Sequence, residues 1–385
     1  MSSWGRGYEM DTRRMRMMLA AIAAAALVLT QNFSASAFSG GGFIVLCDYS
    51  HTLSDDPIVY PQQPGASHSH DFFGNTSTNA FSTYSSMVSA TTTCRLPLDT
   101  AGYWAPTPAL SGVPFHAHGK AGDMRIYYIQ GGDSSVQTIP AGLMEIGGNS
   151  KATAPLPLWE VRWYCSQNSD VTTPVRNHPY DCTPYANKYS FVDGVIGWVN
   201  LPRCWDGKGI GPADVRYPTN GSGVTCPSGF GHLLPLVSER IHFGIMDPCN
   251  GAKPCGPDDP PTNVALSFSS GRYYTLHVDF WNTWDQATMN SLVANCINAG
   301  LDCDQPQELQ VTKTGAGSGG VTSSPSGINC GSVCNDAFGY GFSVKLTATP
   351  DPGSSFTGWT GACSGTGTCT VTMNTQQSVT ATFTA

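Results

Sequence analysis

Apolar and polar positions alternate over short stretches of this chain, and glycine-rich polar segments separate those stretches. Residues 124–130, 159–165, 192–201 and 272–280 carry such runs and read as β-strands. Between them lie turn signals: Gly131-Gly132, Gly147-Gly148-Asn149, Asp206-Gly207 and Asn220-Gly221. In residues 272–280 the alternation is clean. Tyr274, Leu276, Val278 and Phe280 form one face, and Tyr273, Thr275, His277 and Asp279 the other. Beyond Glu308 the period of two returns at Leu309 and Val311, at Val344, Leu346 and Ala348, and at Val379, Ala381 and Phe383, which predicts short antiparallel strands. Only residues 285–299 show a helical period. Asp285 is placed to cap that helix, Leu292, Val293, Cys296 and Ile297 share a face, and Gly300 follows as a stop. The pattern predicts an all-β protein. Its main domain, residues 38–305, is expected to be an antiparallel β-sandwich or jelly roll with a peripheral helix, and residues 306–385 a small all-β module.

The first residues set a compartment. Arg13, Arg14 and Arg16 precede an apolar stretch from Leu19 to Thr30, and Ser34-Ala35-Ser36-Ala37 follows. That order is a secretory signal over residues 1–37, and the apolar stretch is too short for a membrane span of roughly 20 residues. No transmembrane anchor is expected, and the protein is expected outside the cell. Removing the signal leaves 15 basic and 25 acidic residues, a net charge of −10. With so few clustered cations, nucleic acid is not an expected partner. All 14 cysteines follow the signal, ten up to Cys303 and four from Cys330. An even count in an exported chain reads as disulfides. Short spacings suggest Cys249–Cys255, Cys330–Cys334 and Cys363–Cys369.

Chemistry concentrates in two segments. In Ser67-His68-Ser69-His70-Asp71, residues two apart share a face of an extended chain, so His68 and His70 point together, a common start to a divalent-metal site. In residues 272–280, His277 and Asp279 do the same. If both segments meet in one cleft, His68, His70, His277 and Asp279 could hold a divalent metal ion, or serve as a general acid/base centre without one. Contacts to substrate are expected from Arg203 and Trp205, in Leu201-Pro202-Arg203-Cys204-Trp205-Asp206-Gly207-Lys208, and from Tyr273 and Trp284. His116 and His118 form a second H-x-H, which the flanking glycine places in a loop. There is no G-x-S-x-G, H-E-x-x-H or Walker loop.

Asp56-Pro57-Ile58-Val59, the 67–74 segment, Tyr103-Trp104, Tyr127-Tyr128, Cys204-Trp205-Asp206-Gly207-Lys208, Tyr217-Pro218, Cys226-Pro227 and His277-Val278-Asp279-Phe280 occur in an order that resembles the family catalogued as domain of unknown function nineteen ninety-six. Its members are secreted fungal and bacterial proteins, in fungi often joined to carbohydrate-binding WSC modules. The resemblance puts the family's H-x-H segment on His68 and His70 and its H-x-D-F segment on His277 and Asp279. It carries no established activity. Gly327-Ile328-Asn329-Cys330-Gly331, Phe356-Thr357-Gly358-Trp359 and the loop from Cys363 to Cys369 resemble a divergent internalin B-type bacterial repeat, which implies an accessory module. Together these readings lead to an expectation of action on, or binding to, a cell-wall or extracellular polysaccharide. Glycan cleavage at the His/Asp site stands beside a non-catalytic glycan-binding or structural role.

Overall fold

The two five-stranded sheets of the main domain share one core, and the strands Gly42–Cys47, His70–Gly74, Gly102–Pro106 and His277–Trp281 are buried along their whole length. The computed structural model describes residues 40–119, 122–132, 135–165, 173–186, 194–221 and 223–385; the expected signal, 1–37, lies outside the described residues. The first sheet runs in the order Gly42–Cys47, Met124–Ile129, Leu236–His242, Val195–Asn200, Val161–Cys165, antiparallel throughout. The second runs Tyr49–Leu53, His70–Gly74, Gly102–Pro106, His277–Trp281, Met144–Gly148, again antiparallel. Met124, Ile126 and Tyr128 of one meet Phe73, Tyr103 and Phe280 of the other in a continuous core. The Tyr103 and Tyr128 hydroxyls lie 2.6 Å apart across it, and Trp284 Nε1 donates to Tyr128 at 3.1 Å. The expected antiparallel sandwich is therefore present.

Residues 272–280 do not form one strand. Tyr273–Thr275 is a single 3-10 turn, and the strand proper is His277–Trp281, with all five residues buried. The outer face of the second sheet, which carries the polar side of that alternation, is covered. Ile58 and Met87, the latter from the short helix Tyr84–Val88, pack there against Phe72, Trp104 and Trp281. Polar residues on that face are thus enclosed.

The expected helix is Gln286–Leu292, capped by Asp285, whose carboxylate accepts from Thr288 N at 2.8 Å. It continues as one π turn, Val293–Ile297, and Leu292, Val293, Cys296 and Ile297 join the core. Seven disulfides use all 14 cysteines, and the three short-range pairs expected from spacing are among them. The others are Cys47–Cys94, Cys165–Cys182, Cys204–Cys226 and Cys296–Cys303.

The C-terminal module is all-β. One sheet orders Asn335–Phe338, Gln307–Thr314, Gln377–Thr384, Ser355–Gly361; the other orders Gly319–Ser324, Ser343–Pro350, Cys369–Thr372. Gln307–Thr314 and Gln377–Thr384 pair in parallel, unlike the antiparallel ladders around them. Most of the module lies between them in sequence and supplies the long crossover that a parallel pair needs. The module has its own core, including Leu309, Val344, Trp359 and Phe383, yet Ala337 belongs to the main one. Residues Phe38–Ala385 form one compact unit. Among the described residues no helix is long and apolar enough to cross a membrane.

Candidate metal centre

His70 opens its strand opposite Pro106, and Asp279 pairs with Trp104 on the next strand but one. Continuing that register puts His277 in the same row as His70, on either side of Pro106 and on the covered face. The two rings lean together over the proline, and His68 joins them from the segment just before the strand. His277 Nε2 lies 3.2 Å from His68 Nε2 and 3.3 Å from His70 Nε2. All three ligand atoms lie within 4.8 Å of one another. On the far side of His277 stands Gly148, at φ +77°, where a Cβ would meet Leu276 O at 2.5 Å and His277 Cα at 2.8 Å. Any side chain there would displace the backbone that carries the histidine.

The hydrogen bonds decide which nitrogens face inward. His70 Nδ1 lies 2.9 Å from Asp55 O, and His277 Nδ1 lies 2.9 Å from Thr275 O. A carbonyl only accepts, so both rings carry their proton on Nδ1 and turn a lone pair at Nε2 toward the shared centre. Two lone pairs 3.3 Å apart repel unless a cation lies between them. A proton is disfavoured: burial first, then the other histidines, holds His70 well below its ordinary value, and burial brings His277 down to about 4. Burial lowers His68 as well. A tetrahedral ion with bonds of about 2.0–2.1 Å spaces its nitrogens about 3.3–3.4 Å apart. The two measured separations match that spacing.

Asp279 stands beside the triplet and not within it. Its Oδ2 is 3.9 Å from His277 Nε2, fully buried, and has no hydrogen-bond partner. Burial, then the charges of Asp56 and Glu239, pushes its carboxyl well above the ordinary range. Asp56 is itself raised by burial, although its Oδ1 accepts from Ile58 N and Val59 N at 3.0 Å each. The site thus gathers two inward lone pairs, a third imidazole nitrogen and two carboxyl groups. Asp55, Asp56 and Gly148 were not among the expected site residues. Asp56 stands in one of the segments that carry the family resemblance, but no spacing rule connects it to His277.

The family model described as domain of unknown function (DUF1996) matches residues 56–284. The chain belongs to that family. The matched range of the DUF1996 domain holds all three histidines and Asp279, and begins at Asp56. A second model, a divergent InlB B-repeat domain, matches residues 309–385. No curated protein and no solved structure shows significant similarity to the chain.

Three of the four side chains expected to contact substrate instead hold the DUF1996 core. Arg203 is wholly buried, with Nε and Nη2 donating to Leu234 O and Gln130 O at 3.0 and 2.6 Å, and Glu145 is the charge nearest it. Arg203, next to the disulfide-bonded Cys204, points inward and not to solvent. Trp284 bridges the sheets through Tyr128, and Tyr273 packs on Trp163 at 6.4 Å between ring centroids. Trp205 is half-buried, and its Nε1 donates to Gly209 O at 2.6 Å, closing the Asp206-Gly207 turn. His116, in its loop, sets Nδ1 3.1 Å from the buried Asp71 and stacks on Tyr49.

Proposed function

We propose that the DUF1996 domain is an exported metalloprotein whose His68, His70 and His277 bind one divalent ion of the zinc class and cleave an extracellular or cell-wall polysaccharide. One observation carries the metal assignment: the Nε2 lone pairs of His70 and His277 lie at tetrahedral spacing, each aimed by an Nδ1 bond to a backbone carbonyl, with His68 Nε2 beside them. Three imidazoles leave a fourth position open, as catalytic sites do and four-ligand structural sites do not. A bound ion supplies a Lewis acid that polarises an oxygen and makes water more acidic. The chain's own part is to keep Nε2 of all three rings unprotonated, to hold the rings rigid over Pro106, and to keep Asp279 poised to take up or give a proton. His68 is the least buried of the three and marks the open side. Seven disulfides support an oxidising compartment, and the polysaccharide assignment rests on the family's association with carbohydrate-binding modules.

Elemental analysis of the protein purified from culture medium tests the first half. About one divalent ion per chain is expected in the wild type, and none in His70→Ala or His277→Ala; a metal-free wild type that takes up no added zinc refutes it. A polysaccharide panel assayed for new reducing ends or unsaturated products tests the second. Silence across the panel by metal-loaded protein would leave a non-catalytic, glycan-binding metalloprotein.

A further inference from the structure

The outward face of the first sheet carries an arrangement that simple sheet energetics disfavours. Arg240 lies directly opposite Arg125 on one neighbour and Trp198 on the other, and Trp198 lies opposite Arg162. One row across four strands therefore reads Arg, Arg, Trp, Arg. Like charges directly opposite each other destabilise a sheet. The side chains answer this by stacking. The Arg240 guanidinium carbon sits 3.4 Å from the centre of the Tyr127 ring and 3.6 Å from that of Trp198, while that of Arg162 sits 3.4 Å from Trp198. Two carbons this close to one ring centre must occupy its opposite faces. The order is Tyr127, Arg240, Trp198, Arg162, and the two rings lie 6.5 Å apart at 20°.

Stacking uses the faces of the guanidinium groups but not their edges. Nε of Arg162 and Nε of Arg240 are buried without a hydrogen-bond partner, and among the described residues neither arginine pairs with a carboxylate. Burial raises the neighbouring Tyr164 hydroxyl, and the charge of Arg240 offsets part of that rise. Burial, and after it the charge of Arg240, lowers Arg162 to about 10. Burial, then the charge of Asp302, raises Asp304, and Arg125 partly offsets this. A guanidinium sealed on its faces by rings presents in-plane N–H donors that match a planar or tetrahedral oxyanion. We propose that this stack is a second binding site, separate from the three-histidine centre, that takes the carboxylate or sulfate groups of an acidic polysaccharide. From Arg240 to Arg162 the row covers two strand spacings of about 4.8 Å, which suits a polymer with recurrent, well-separated charges. Nucleic acid, with roughly one charge per 1.7 Å, is opposed by the chain's net charge of −8. The inference does not depend on the metal reading.

Titration calorimetry at low salt with an oligogalacturonide, a sulfated dextran oligosaccharide, neutral dextran and a short DNA duplex tests it. The wild type is expected to bind one or both acidic oligosaccharides, more weakly as salt rises, and to ignore neutral dextran. Arg162→Gln/Arg240→Gln should weaken that binding at least tenfold while metal content stays unchanged. Arg162→Lys, which keeps the charge and removes the fork, should weaken it several-fold and carries the test if the double variant fails to fold. No binding to either acidic probe, equal binding by the double variant, or preference for the duplex would overturn the proposal.

Discussion

Acidifying the chelator-treated protein should reveal His277 as a stability sensor. Free imidazole titrates near 6.5, while burial holds His277 at about 4. Between those values the unfolded chain binds a proton at this position and the folded chain does not. Stability therefore rises with pH through the window and falls as pH drops from about 6.5 to about 4. Below that, the folded ring is protonated too and its contribution ends. A separation of about 2.5 pH units corresponds to about 3 kcal/mol. Urea denaturation between pH 7 and pH 4, after removal of divalent ions, measures it. Wild type should lose about 3 kcal/mol more than His277→Gln over that range. Zinc should shift the loss to lower pH, because ion and proton compete for the same Nε2. Equal slopes for wild type and variant would refute the placement of this ring as a neutral, buried donor of a lone pair.

Two further outcomes follow from buried charges. Arg203→Ala should destabilise the main domain by about 3–5 kcal/mol, because it strips Glu145 of its nearest cation and leaves core carbonyls without a donor; a loss below about 1 kcal/mol in chemical denaturation would contradict that. Asp336 is buried in the C-terminal module, its Oδ2 lacks a partner, and burial raises it to about 7. Its raised value makes stability fall as pH climbs from about 4 to about 7, so Asp336→Asn should flatten that limb and gain on the order of 3 kcal/mol at pH 8. Melting curves of both proteins at pH 5 and pH 8 check the sign.

Alternation located three of the five strands of the first sheet, Met124–Ile129, Val161–Cys165 and Val195–Asn200, but not Gly42–Cys47 or Leu236–His242, while a helical period located most of the helix. Met124, Ile126 and Tyr128 do face inward as their spacing says. The same rule misled at residues 272–280, because it assigns the polar side of a strand to water. Here Ile58, Met87 and the segment around Asp55 roof that side, and no local signal announces a roof. His68 and His70 were legible as a pair because two-residue spacing holds in any extended chain. That His277 joins them depends on Pro106 lying between, a matter of strand order. Arg203 and Trp284 illustrate the opposite failure. Large polar-tipped side chains in a turn-rich segment look available for ligands, yet Arg203 donates to carbonyls just past the ends of two strands and Trp284 to tyrosine hydroxyls in the core.

His277–Trp281 is the last strand of the sandwich to appear in the chain, yet it sits between Gly102–Pro106 and Met144–Gly148. Until residue 277 is present, the sheet lacks this interior strand and the row through Pro106 lacks one of its histidines. If the chain is exported unfolded and binds an ion as proposed, its histidines arrive unassembled, and that ion is drawn from the surroundings in which the final strand inserts. Metal identity would then be chosen by the outside medium and the moment of closure, and not by the metal supply of the cell that made the protein.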